Sequence, residues 1–210
     1  YDRERLITPD DDFLDLDWSR VNSRRLVIIL HGMEGDSNRS YIKGMVKALN
    51  ARNWDALALN FRGCSQEPNR QSRMYHSGET QDLALVVKHA LSNGNYDELA
   101  LVGFSLGGNV VLKSLGESGT STDPRIRAAV AISVPCDLKA CSVRLEQFAN
   151  RGYSIRFRRM LRAKIINKTS LYPGVMDASR LDSVKTLKQF DEEFTAPLHG
   201  FQNADDYYRR

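Results

Sequence analysis

The chain has 210 residues, with 30 basic against 26 acidic side chains, a net charge of +4, and 41% hydrophobic residues. This is ordinary composition for one soluble domain carrying an insertion, and so mild and evenly mixed a charge excludes a nucleic-acid binder. The three cysteines, Cys64, Cys136 and Cys141, have no metal-site spacing. They predict a reducing, cytoplasmic setting and no metal.

No secretory signal opens the chain, and no run reaches the roughly 20 apolar residues of a membrane span. The missing initial methionine predicts that residues precede Tyr1. Residues 3–8 and 13–18 flank Pro9-Asp10-Asp11-Asp12 and read as an antiparallel hairpin at a sheet edge. Arg25–Leu30 is a continuous apolar run that suits a strand covered on both faces. Ile42, Met45, Val46 and Leu49 then mark a helix over 40–52, with Ser40 as its expected cap. Residues 56–61 form another strand, and 63–78 a long polar loop. Leu83, Val86, Val87, Ala90 and Leu91 stripe a helix over 79–92.

Leu99–Phe104 reads as a buried strand running into Gly103-Phe104-Ser105-Leu106-Gly107, with a helix over 109–115. This is a G-x-S-x-G nucleophile elbow, and its tight turn leaves no room for bulky side chains at 103 and 107. Residues 126–134 give a further strand. After residue 138 strand patterns stop, and 138–195 reads as helices broken at Gly152, at Tyr172-Pro173-Gly174 and near Ala196-Pro197. The alternation predicts an α/β fold, a mostly parallel sheet with helices on both faces. Its expected division is a core over 1–137, a helical cap over 138–200, and the start of a return to the core over 201–210.

A serine nucleophile needs a base, a group that orients the base, and donors for the oxyanion. The expected donors are the backbone N–H of Leu106, directly after Ser105, and that of Met33 in His31-Gly32-Met33-Glu34-Gly35. The base is harder to find. His31 ends a strand before glycine and reads as structural, His76 as a loop organiser, and His89 as a structural residue beside a helix stripe. His199 is the one histidine after Ser105. With Asp137, just past a strand end, it formally completes the order Ser…Asp…His. The competing readings are a helix cap for Asp137 and local hydrogen bonding for His199.

Together, His31-Gly-Met-Glu-Gly35, Phe61-Arg-Gly-Cys-Ser65, Glu67-Pro-Asn-Arg70, Tyr75-His-Ser-Gly-Glu-Thr80 and Gly103-Phe-Ser-Leu-Gly-Gly-Asn109 resemble the YheT-type esterases of the α/β-hydrolase fold. Tyr172-Pro173-Gly174, Phe190-Asp191, Thr195-Ala196 and Asp205–Tyr208 extend the similarity across almost the whole chain. The resemblance implies a serine hydrolase that works through an acyl-serine on short- to medium-chain or lipid esters, without a cofactor. In that family the triad acid and histidine follow strands placed after the cap. Both are expected beyond Arg210, in a C-terminal segment that would also complete the sheet.

Two other functions stay open: a catalytically incomplete binding module, and acyl transfer to an alcohol. Arg151–Lys168 holds seven basic residues and no acid. It reads either as a cap helix with its charges in water or as a peripheral membrane contact.

Overall fold

The computed structural model describes residues 1–210. They form two compact units, Tyr1–Arg70 with Tyr75–Val134, and Gln71–Met74 with Pro135–Arg210.

The first unit is built on a six-stranded sheet. In chain order it holds β1 (Asp2–Ile7), β2 (Phe13–Ser19), β3 (Arg25–Leu30), α1 (Ser40–Asn50), β4 (Asp55–Asn60), α2 (Thr80–Asn93), β5 (Glu98–Phe104), α3 (Leu106–Ser118) and β6 (Ile126–Ile132). The strand order is β1-β2-β4-β3-β5-β6. β1 and β2 pair antiparallel as the hairpin pattern predicts, and β4, β3, β5 and β6 run parallel.

Alternation along β3 explains the layering, because successive side chains leave opposite faces of a strand. Leu26, Ile28 and Leu30 join a core with Leu83, Val86 and Ala90 of α2 and Val110 and Val111 of α3. Val27 and Ile29 pack on the other face with Ile42 and Val46 of α1. Ser40 is not a cap. The helix begins one residue early, with Arg39 at the N-cap position and its carbonyl accepting from the Lys43 N–H at 3.0 Å.

One polar cluster lies inside this unit. Arg62, 1% exposed, donates to both carboxylate oxygens of Asp82 at 2.8 and 2.7 Å, to Asp12 at 2.8 Å and to Asp10 at 3.0 Å. Burial alone would lower the Arg62 pKa, but the three carboxylates raise it above its ordinary value. Asp12 also accepts from the Asn69 side chain and the Arg70 backbone. The hairpin turn and the loop after β4 are thereby tied to one buried guanidinium.

The second unit holds α4 (Leu138–Glu146), α5 (Arg151–Leu171), α6 (Leu187–Phe190), a π-turn at Asp191–Thr195, α7 (Ala196–Leu198) and α8 (Ala204–Arg209). Gly152 does not break a helix. It lies in the first turn of α5, where glycine is tolerated at a cost of about 1 kcal/mol. The break falls instead at Gln147, whose backbone is extended. α5 does end where Tyr172-Pro173-Gly174 predicts. Gln71–Met74 belongs to this unit because buried Lys168 of α5 donates to the Gln71 carbonyl. No helix is long and apolar enough to cross a membrane.

Asp191 makes this unit sensitive to pH. Burial pushes its carboxyl from 3.8 up to about 6, against the hydrogen bonds it accepts from Thr195 and Tyr208, each 2.7 Å. The folded chain therefore keeps a proton that the unfolded chain releases near pH 4. The stability this adds is complete below the unfolded value and lost as pH rises through about 6. Asp191→Asn cannot ionise. From that shift it is expected to gain up to about 3 kcal/mol relative to wild type as pH rises from about 4 to 7. Paired thermal melts across that range check this, and a difference that stays flat would refute it.

Candidate active site

Ser105 stands between β5 and α3 with φ 51° and ψ −119°, a backbone region that non-glycine residues rarely occupy. Two close approaches hold it there. A Cβ on Gly103 would lie 2.4 Å from the Gly107 carbonyl oxygen, and one on Gly107 would lie 2.6 Å from the carbonyl oxygens of Leu30 and His31. Only glycine fits at either position. The Ser105 N–H donates to the Ile132 carbonyl at 2.8 Å, and the Ser105 carbonyl accepts from the Asn109 N–H at 3.1 Å. The hydroxyl-bearing residue is thus anchored to β6 on one side and to the first turn of α3 on the other.

The loop after β3 closes against this turn. A Cβ on Gly32 would stand 3.3 Å from the Ser105 Cβ. Residues 32–35 form a tight turn, with the Gly35 N–H donating to the Gly32 carbonyl at 2.9 Å. Two tyrosines pin it. The Tyr41 hydroxyl accepts from the Gly32 N–H at 3.0 Å. The Tyr75 hydroxyl accepts from the Glu34 N–H at 2.7 Å and donates to the Glu34 carboxylate at 2.6 Å, holding Glu34 at φ 52°. Burial and the Glu34 charge push the Tyr75 hydroxyl well above its ordinary pKa, so it keeps the proton it donates.

Between these pinned residues, the Met33 N–H is taken up by no protein acceptor, and neither is that of Leu106 at the start of α3. The first N–H groups of a helix lack intrahelical partners, so Leu106 offers its donor where the positive end of the helix dipole lies.

The histidines before Ser105 are all engaged in structure. His31 is buried, its Nδ1 lies 2.7 Å from the Gly32 carbonyl, and its Nε2 accepts from the Phe61 N–H at 3.2 Å. Those two contacts require the proton on Nδ1. His76 Nδ1 accepts from the Gly78 N–H at 3.1 Å, and His89 Nε2 meets Glu4 at 2.7 Å.

Asp137 and His199 lie in the second unit. The Asp137 carboxylate accepts from the Ala140 N–H at 2.8 Å and caps α4. His199 is half-buried where α7 ends. No group of three or more His, Cys, Asp or Glu residues is placed to hold a metal ion.

Sequence inspection misses Tyr41, and it meets Tyr75 only as part of a family motif, without its role in the turn. Their partners lie 9 and 41 residues away, so no local pattern marks them. A large aromatic residue within the polar 63–78 loop is the one signal that could have drawn attention, and in the structure Tyr75 is buried.

The chain matches the model of the α/β-hydrolase fold family over residues 25–185. The Escherichia coli K12 protein YheT, an esterase by name, is 38% identical over 99% of this chain and 62% of its own length. The Saccharomyces cerevisiae monoacylglycerol lipase is 29% identical over 96% of this chain and 45% of its own length. The mouse phospholipase ABHD3 is 28% identical over 99% and 53%. Among solved structures, the Pyrococcus furiosus esterase Pf2001 superposes with a TM-score of 0.59 at 23% identity, over 84% of this chain and 63% of that one. That likeness speaks for the fold alone. The chain spans between 45% and 62% of the length of the three curated relatives.

Proposed function

The chain belongs to the α/β-hydrolase fold family, and from that premise we propose that it carries the nucleophile and oxyanion donors of a serine ester hydrolase. The observation that supports this most directly is Ser105, held at φ 51° on a turn where only glycine fits at 103 and 107. Strain of about 1–3 kcal/mol persists where the surrounding structure enforces it, and clusters at reacting residues.

In this mechanism the Ser105 Oγ attacks the ester carbonyl while a base takes its proton. The tetrahedral oxyanion is held by the N–H groups of Met33 and Leu106. Collapse expels the alcohol and leaves an acyl-serine, which water then cleaves. His31 is not the base, because both of its ring nitrogens hold the loop. Asp137 is occupied in capping α4. The relatives are longer than the stretch this chain matches, and on this reading the base and its orienting acid come from a part of the whole protein outside that stretch. Names of the relatives include an esterase and two lipid hydrolases, which supports short- to medium-chain or lipid esters as substrates.

A fluorophosphonate probe tests this on the whole protein. Covalent labelling mapped to Ser105 by peptide mass spectrometry is the expected result. An unlabelled Ser105 in folded protein would overturn the hydrolase reading in favour of a binding module.

Tyr75→Phe tests the second oxyanion donor. It removes two hydrogen bonds to Glu34 and frees the turn that presents the Met33 N–H. Two such hydrogen bonds are worth about 2 kcal/mol together, so kcat/KM is expected to fall by roughly 10- to 30-fold with KM little changed. Steady-state kinetics on a p-nitrophenyl ester reads this; an unaltered kcat would remove the turn from the mechanism.

A further inference from the structure

α5 carries five arginines, two lysines and no acid between residues 151 and 168. Its inward face is narrow, with Ser154, Leu161, Ile165 and Lys168 buried. On the outward face Ile155, Arg159, Arg162 and Ile166 follow one another at spacings that keep them in line along a helix. Ile155 and Ile166 are 50% and 48% exposed. Just ahead of the helix, Phe148 is 91% exposed. A surface helix of a globular protein normally turns its isoleucines inward and its charges to water. Here isoleucine and arginine share the wet face.

Beside this face lies a cavity of about 410 Å³. Buried Leu181 and Phe190 contribute to its lining, together with Arg158, Arg159, Arg162 and Lys185. Asp182 is the one acid among the lining residues. It already accepts from Arg162 at 2.9 Å, and its carbonyl accepts from Lys185. Four cations against one carboxylate leave a strongly positive recess with an apolar floor.

We infer that the outward face of α5 docks on an anionic phospholipid bilayer, with a headgroup phosphate seated in the recess beside Arg158, Arg159 and Lys185. Charge complementarity selects an anion, and the guanidinium fork suits phosphate oxygens. The exposed isoleucines and Phe148 select a bilayer over a free phosphate or a nucleic acid. Only an interface with acyl chains takes apolar side chains out of water next to phosphates. The inference does not depend on the ester-hydrolase reading, since every residue it uses belongs to the second unit and Ser105 belongs to the first.

Co-sedimentation of the whole protein with phosphatidylcholine vesicles and with equimolar phosphatidylcholine–phosphatidylglycerol vesicles tests it. Binding is expected to the second only, and to weaken with salt. Arg156→Gln with Arg159→Gln removes two exposed charges and is expected to weaken binding about fivefold per charge, roughly 25-fold together. Ile155→Ser with Ile166→Ser is expected to weaken it as well, by a factor that salt does not change. Lys43→Gln with Lys47→Gln on α1 removes the same charge elsewhere and is expected to bind as wild type does.

Equal binding to both vesicles, or equal loss in the α1 pair, would overturn the inference. So would full displacement by glycerol phosphate, which would mark a site for a soluble anion. Turnover of a p-nitrophenyl ester without vesicles is expected to be unchanged in the arginine pair. A failed docking surface and a failed hydrolase therefore give different results.

Discussion

Ser105→Ala is expected to lower kcat/KM for a p-nitrophenyl ester by about 10⁴-fold or more in the whole protein, with circular dichroism and melting temperature close to wild type. On the proposed mechanism, deleting the oxygen removes the atom that carries the acyl group, so what remains is catalysis by binding and the oxyanion donors. The fold survives because the turn is held by Gly103, Gly107 and the backbone bonds to Ile132 and Asn109, none of which involves the serine hydroxyl. Hydrolysis by the variant at a rate comparable with wild type would remove Ser105 from the chemistry.

Arg62→Met is expected to be the most damaging single change to stability in the first unit, costing about 3–5 kcal/mol. It strands Asp12, fully buried, and Asp82, 2% exposed, without their cation. The hairpin turn and the loop through Asn69 and Arg70 lose their common anchor. In wild type the Asp12 carboxyl lies below its ordinary pKa. Burial alone would raise it, but hydrogen bonds from Asn69, Arg70, Phe13 and Arg62 outweigh that. Its contribution is therefore present above the unfolded value and lost on acidification. In the variant the sign reverses, because stranded carboxylates prefer their protons. The gap between the two proteins is expected to narrow as pH falls through about 5. Urea denaturation at two pH values checks both the size and the direction. A midpoint unchanged at neutral pH would show that the cluster contributes nothing.

Much of the first unit is legible in the chain because the signals are local. The apolar run at 25–30 is buried on both faces, as such a run must be. The hairpin is announced by its alternation and its Pro-Asp turn. Gly103 and Gly107 around Ser105 declare a close approach that the backbone then shows. The Arg62 cluster is not legible, since its partners lie 20, 50 and 52 residues away and no pattern connects them. The contacts of Tyr41 and Tyr75 with the 32–35 turn are missed for the same reason. Gly152 misleads because a glycine says only that a break is allowed. The extended backbone at Gln147 has no residue type to mark it.

The strained backbone at Ser105 also carries a consequence for stability. Glycine would relax that turn, so on the proposed mechanism the residue best for folding and the residue needed for chemistry differ at this position. Under that reading, a variant freed from the chemistry has a stabilising step open to it at 105, within reach of a single substitution. The serine in the turn marks a point where stability and the proposed catalysis pull in opposite directions.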